Sequence, residues 1–138
     1  MSLFAVLGIS GSGMAAEAER LSAVASNIAN ANSAVSSSGQ PYRAREVVFQ
    51  PVSPTGDDDP PGLGAAGVKV AGIVESDAPM HSVYDPGNAF ADDKGYVQMP
   101  NVNPVDEMVN MISAQQDYQA DLEAFNVAKT LALRTLSI

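Results

Sequence analysis

Several groups of residues in this sequence have types and spacings that could support ligand binding or catalysis. Segment 11–16 (GSGMAA) matches the G-x-G-x-x-A pattern of a dinucleotide-binding turn. Segment 57–59 (DDD) offers carboxylates that could bind calcium, and His81 is the only histidine. The acidic pairs 92–93 and 106–107 could act as general acid and base.

Each of these groups lacks the partners that its chemistry requires. A dinucleotide site needs a second parallel strand that ends in an acidic residue, whereas the next predicted strand ends in Gln50 and Pro51. No glutamate stands at the twelfth position of a calcium loop begun at Asp57, and one histidine cannot form a multi-histidine metal site. We therefore predict no catalytic residue, no cofactor and no metal site.

Composition and charge exclude further classes of function. The 138 residues carry a formal charge of −9, which opposes the phosphate backbone of nucleic acids. There is no cysteine to form a disulfide, and no apolar run is long enough to insert into a membrane. Alanine contributes much of the 46% hydrophobic fraction and aromatic residues make up only 6%, so we expect a thin core.

The distribution of proline divides the chain into three parts. All nine prolines lie between Pro41 and Pro104, so helices are expected at the two ends and strands and loops in the middle. The predicted fold class is α+β, with N- and C-terminal helices paired as a coiled coil. The predicted parts are an N-terminal helical segment 1–38, a β-rich middle domain 39–103 with an acidic loop, and a C-terminal helix 104–138.

Both predicted helices carry side chains at heptad spacing, as in a coiled coil. On the last helix, one row of seam residues is accompanied by a second row that starts at Met108. Because the short middle domain cannot cover two long helices, we infer that neighbouring subunits cover their outer faces. The predicted contact residues are Leu7, Met14, Ala18, Leu21, Ala25, Ile28, Met108, Met111, Tyr118, Leu122, Phe125, Ala132 and Leu136.

Between the helices, segments 42–52 and 68–75 have the β-branched character and partial alternation of strands. We predict one more short strand over residues 95–99. Segment 53–67, which holds the acidic run, predicts a solvated loop.

Segment 25–32 (ASNIANAN) resembles the N-terminal motif of bacterial flagellar rod and hook proteins. Segments 39–43 (GQPYR), 84–88 (YDPGN) and 100–103 (PNVN) follow in the order found in the proximal-rod branch of that family. Segment 33–38 delays the first turn, which also favours this branch. The resemblance spans nearly the whole chain and adds Asn27, Asn30 and Asn32 to the predicted subunit interface.

This resemblance implies a structural subunit of the basal-body rod in the periplasm that transmits motor torque and performs no chemistry. Its implied partners are further copies of itself, other rod subunits, the membrane-ring and rod-adaptor proteins at the rod base, and the flagellar type III export apparatus. Export without a cleaved signal peptide is expected. The residues alone leave two alternatives open, another secreted helical adaptor or axial subunit and a small nucleotide-binding enzyme.

Overall fold

Two long helices form the frame of the molecule. The computed structural model describes residues 3–34, 40–52 and 67–136. Helix α1 is Leu3–Asn30 and helix α2 is Pro104–Leu136. Contacts of Asn27 with Glu107 and of Gly13 with Asp121 show that the helices pack antiparallel. Because these contacts lie two heptads apart on both helices, the pair keeps its register along its length.

Helix α2 begins at residue 104, where the predicted C-terminal helix begins, and a capping asparagine precedes it. The Asn103 Oδ1 accepts a hydrogen bond from the Val105 N–H at 3.1 Å, and the Asn103 amide donates to Asp106 at 2.8 Å. Pro104 occupies the first helical position, where a missing N–H costs nothing. The predicted start of the C-terminal helix at residue 104 is therefore confirmed.

Four strands fill the middle of the chain as two separate antiparallel pairs. Strands β1 (Arg45–Val52) and β2 (Gly67–Glu75) form one sheet. Strands β3 (His81–Tyr84) and β4 (Tyr96–Met99) form the other. The predicted strands agree with β1, β2 and β4, whereas the sequence analysis missed β3. The two helices with this strand region confirm the α+β class.

A β-bulge in β2 determines which of its residues share a face of the sheet. The register shifts between Val48 and Phe49, so Phe49 pairs with Val70 and Val48 pairs with Gly72. An extra residue moves the following side chains to the opposite face of a strand. With the bulge, Val68, Val70 and Ile73 lie on the same face of the sheet. Strict alternation would have placed Ile73 on the face opposite Val68 and Val70. Near its start, β2 is joined to α1 by a hydrogen bond from the Val68 N–H to Ser12 Oγ at 3.1 Å.

One of the sequence alternatives can be compared with this fold. Residues 11–16, which match the dinucleotide-binding pattern, lie within α1, and the residues before them belong to the same helix. This part of the chain is therefore helical where a dinucleotide-binding fold has a strand and a glycine-rich turn. Segment 57–59, considered above for calcium, lies outside the described residues. No helix in the described ranges has the length and apolarity to cross a membrane.

The buried apolar side chains are small. Within the described ranges they are Pro100, six alanines and three valines: Ala16, Ala23, Ala31, Ala44, Ala114, Ala128, Val24, Val97 and Val102. Stabilisation by burial scales with apolar area, at roughly 25 cal/mol per Å². The fold therefore gains little stability from its own core, as the alanine-rich composition predicts.

We expect alanine substitutions at two glycines of α1 to have different effects. A Cβ at Gly11 would meet nothing within 4 Å, so Gly11→Ala should stabilise the chain by about 1 kcal/mol through helix propensity. A Cβ at Gly13 would overlap the Asp121 carboxylate, which would have to move. Gly13→Ala should therefore gain less or lose stability. Urea unfolding followed by circular dichroism measures both, and equal gains would contradict the observed helix packing.

Candidate assembly interface

Asn27 connects three elements of the fold through one buried side chain. Its Nδ2 donates to the Arg45 carbonyl and to Glu107 Oε2, both at 2.9 Å. Its Oδ1 accepts from the Arg45 N–H and from the Tyr42 hydroxyl, both at 2.9 Å. The residue is 1% exposed, and these bonds use the full hydrogen-bonding capacity of the amide. Asn27 therefore joins α1 to the start of β1 and to the first turn of α2.

Asn101 performs a similar function next to this junction. Its Nδ2 donates to the carbonyls of Ser76 and Ala78, at 3.1 and 3.0 Å. Its Oδ1 accepts from the Ala44 N–H at 2.8 Å. Asn101 lies in the family motif at 100–103, but it was not among the predicted interface residues. An asparagine next to prolines in a loop carries no signal that distinguishes this role from that of an ordinary turn residue.

The other two asparagines of the predicted interface have smaller roles within the chain. The Asn30 amide donates to the Ser26 carbonyl at 2.8 Å in the last turn of α1. Asn32 is exposed, just after the helix ends. Only Asn27 of the three is therefore used to connect separate elements.

The contact between α1 and α2 follows part of the predicted seam. The predicted residues Leu7, Met14, Leu21 and Ile28 on α1, and Met111, Tyr118, Phe125 and Ala132 on α2, are partly buried. The small residues at this contact include Gly13 on α1, which lies against Asp121, and the buried Ala114 and Ala128 on α2. Ala114 is fully buried, at 0% exposure.

Two parts of the predicted seam lie elsewhere. Ala18 and Ala25 were expected to allow close helix approach, but both are exposed, and Ala16 and Ala23 are buried instead. Two residues correspond to a rotation of roughly 200° around a helix, which explains the difference. On α2, the predicted second row members Met108, Leu122 and Leu136 are exposed. The observed second row lies one residue earlier and consists of Glu107, Ala114, Asp121 and Ala128.

Three carboxylates and one guanidinium lie together at the helix contact. Arg20 is 3.4 Å from Glu17 Oε2 and 3.6 Å from Asp117 Oδ2. Burial raises the pKa of the Glu17 carboxyl, with Asp117 and Asp121 adding to the shift and Arg20 opposing it. Burial and the nearby Asp117 also raise the pKa of Asp121. The seam therefore holds more negative charge than its single arginine balances.

The outer side of α2 carries an extensive apolar surface. Nine large apolar side chains of this helix are exposed, in one group near its start and another towards its end. They are Val105, Met108, Val109, Ile112, Leu122, Val127, Leu131, Leu133 and Leu136. Near the end of α2, Leu3 and Val6 of α1 line a groove with Ala124, Val127 and Leu131. Exposed apolar patches of this kind are typical of interaction surfaces.

Comparison with known proteins gives a consistent result over the whole chain. Residues 93–138 match the model of the C-terminal region of flagellar basal body rod FlgEFG proteins, and residues 7–34 match that of flagella basal body rod proteins. The flagellar basal-body rod protein FlgC of Salmonella typhimurium is 49% identical over 138 residues, covering 100% of this chain and 98% of the relative. FlgC of Yersinia enterocolitica is 48% identical with the same coverage. FlgC of Borreliella burgdorferi is 34% identical over 152 residues, also with 100% and 98% coverage.

We expect Asn27→Ala to lower the free energy of unfolding by about 2 to 4 kcal/mol, because it leaves buried backbone and side-chain groups without partners. Asn32→Ala, at an exposed asparagine of the same motif, is the matched control and should change stability little. Urea unfolding followed by circular dichroism measures both variants. Similar losses in the two variants would show that the Asn27 contacts contribute nothing particular.

The raised pKa values of Glu17 and Asp121 predict that acidification stabilises the helix pair. The stability gained from protonating these carboxyls is fully present below their ordinary pKa values of 4.5 and 3.8. It is lost as pH rises through the raised pKa values of the folded chain. Glu17→Gln and Asp121→Asn should each increase the urea midpoint at pH 7 and flatten its pH dependence. Glu19→Gln, at an exposed carboxylate of the same helix, is the control. Lower stability of both seam variants at pH 7 would contradict the assignment.

Proposed function

Because the chain belongs to the FlgC family of flagellar basal-body rod proteins, we propose that its exposed helix faces join it to further copies of itself and to other rod subunits. The chain is a structural subunit of the basal-body rod. Its assembly contacts are the part of this function that depends on its own surface.

The observation that carries the proposal is the contrast between the core and the surface. The buried apolar residues of the described ranges are alanines, valines and Pro100, whereas leucine, isoleucine, methionine and further valines of α2 face outwards. Burying one such large side chain contributes roughly 1.5 to 3 kcal/mol. Much of the apolar burial available to this chain is therefore reached only in contact with other subunits.

The position of the subunit within the basal body follows from the same premise. The chain would lie in the proximal part of the rod, within the periplasm, and reach it through the flagellar type III export apparatus without a cleaved signal peptide. Its further partners would be the membrane-ring and rod-adaptor proteins at the rod base. The absence of cysteine and the small core support this route, because neither a disulfide nor extensive packing opposes unfolding for export.

In this role the protein would transmit torque and catalyse no reaction. Helices that interdigitate with several neighbours resist shear, because sliding requires many packed side chains to move together. Of the groups considered for catalysis, the pair 106–107 is accounted for by the first turn of α2, where Asp106 accepts from Asn103 and Glu107 accepts from Asn27. The sequence pair 92–93 lies in a tight turn.

We expect Ile112→Asp to abolish incorporation into rods while leaving the fold of the isolated chain intact. Ile112 is 56% exposed, so the isolated chain tolerates a carboxylate there, whereas a subunit contact would bury that charge without a partner. Leu21 and Phe125 are less suitable positions because both are partly buried in the helix contact.

The measurement is complementation of a strain that lacks its own copy of this subunit, scored by motility and by the protein content of purified basal bodies. Gln50→Asp adds the same charge at an exposed polar position of β1 and should be incorporated normally. Circular dichroism of the purified variant tests the fold separately. Normal incorporation of Ile112→Asp would overturn the proposed contact.

A further inference from the structure

The hairpin of β3 and β4 directs two tyrosines away from the core. Tyr84 and Tyr96 are directly paired across the two strands, and so are Val83 and Val97. Val97 is only 2% exposed, so alternation along the strand places the tyrosine pair on the opposite, outer face. Tyr84 is 64% exposed and Tyr96 is 43% exposed. Their rings are 5.3 Å apart between centroids, in an edge-to-face arrangement.

The turn that joins these strands holds the tyrosine pair in place. Asp92 Oδ1 accepts from the N–H groups of Lys94 and Tyr96, both at 2.8 Å, and the Asp85 N–H donates to the Gly95 carbonyl at 2.9 Å. Gly95 has a φ of +81°, and a Cβ there would lie 2.9 Å from the Tyr84 ring. Because the backbone and the two rings fit this closely, the aromatic surface is formed before any partner binds.

The tyrosines are accompanied by exposed carboxylates. The Asp92 carboxylate accepts a hydrogen bond from the Tyr96 N–H, and Asp93 is exposed beside it. Asp85 follows Tyr84, so alternation directs it to the opposite face, and its carboxylate accepts from the Asn88 amide at 3.3 Å. Lys94 is the only lysine or arginine between His81 and Met99. Aromatic faces next to carboxylates are the combination that a guanidinium group prefers, because it can stack on the ring and pair with the acid.

This chain shows the stacking part of that preference internally. The Arg45 guanidinium carbon lies 5.6 Å from the centroid of the Tyr42 ring. No equivalent cation covers the Tyr84 and Tyr96 pair within the described residues, since this is the only such contact found there. The outer face of the hairpin therefore has the chemistry of an arginine site on a formed surface.

We propose that the outer face of the β3–β4 hairpin, defined by Tyr84, Tyr96 and Asp92, binds an arginine-bearing segment of a different protein. A second copy is a poor source of this arginine. Arg20 pairs with Glu17, Arg43 donates to the Ser76 carbonyl at 3.0 Å, Arg45 lies over Tyr42, and Arg134 also has a contact within the chain. The charge of −9 likewise favours a basic partner. This face is separate from the apolar surface of α2 used in the proposed function.

The test is a nuclear magnetic resonance titration of the full chain with a capped peptide of alternating glycine and arginine. Matched peptides carry lysine, neutral citrulline or norleucine in place of arginine. Saturable shifts of the Tyr84 and Tyr96 signals are expected with the arginine peptide. Binding should be about threefold weaker for the lysine peptide, because an ammonium group does not stack on a ring as a guanidinium does. It should be at least about tenfold weaker for the citrulline peptide, because citrulline carries no charge.

Variants of the full chain identify the groups responsible. Tyr84→Phe should retain binding and Tyr84→Leu should weaken it about threefold, because only the first keeps the aromatic face. Asp92→Asn keeps the oxygen that accepts both turn hydrogen bonds but removes the charge, so it should weaken binding without unfolding the hairpin. Asp77→Asn, at an exposed carboxylate outside the hairpin, is the control and should bind normally.

Three results would overturn the proposal. Shifts spread over all exposed carboxylates and unaffected by Tyr84→Leu would show general attraction to an acidic chain. Equal binding of the citrulline or norleucine peptide would show an apolar site. Shifts of the tyrosine signals with chain concentration, in the absence of peptide, would show that a second copy occupies the face. Circular dichroism and the resonances of the turn residues show, separately from binding, whether each variant is folded.

Discussion

The arrangement of this molecule depends on the buried amide of Asn27. A primary amide has two N–H groups and an acceptor oxygen, and here they bind the backbone of Arg45, the Tyr42 hydroxyl and Glu107 at the same time. A buried polar group that loses its partners costs more than a formed hydrogen bond contributes, so these four groups must meet in one geometry. The end of α1, the start of β1 and the start of α2 are consequently fixed relative to each other, although little apolar area is buried between them.

The helix contact shows the same preference for geometry over apolar burial. Gly13, Ala114 and Ala128 allow the backbones to approach, while Glu17 and Asp121 place carboxylates where a coiled coil usually has leucine. Close approach adds van der Waals contact, but partly buried carboxylates oppose it through desolvation and mutual repulsion. The pair therefore has a defined register together with modest intrinsic stability.

The sequence predicted those features that arise from local chemistry. The proline distribution located both helices, with α2 starting at the last proline, Pro104, and β-branched residues located three of the four strands. A hydrophobic pattern selects the more apolar Met108 and Leu122, which lie outside the contact between the two helices, where Glu107 and Asp121 lie instead. Their role as subunit contacts stays a prediction. Strand β3 was missed because HSVY is too short to show alternation, and its partner β4 lies across a long turn. The role of Asn101 depends on contacts with residues 25 and 57 positions away in sequence, which no local pattern contains.

The exposed positions of Met108 and Leu122 also indicate how the chain divides its apolar surface. Had these two residues lain in the inner seam, the isolated helix pair would bury more apolar area than it does. In the structure they face outwards with Val109 and Ile112, and alanine and acidic residues occupy the second row of the seam instead. Each large side chain moved from the inner to the outer face lowers the stability of the isolated chain and raises that of any complex that covers it. For a member of the FlgC family this distribution favours a subunit held together by hydrogen bonds before assembly and by apolar packing after it.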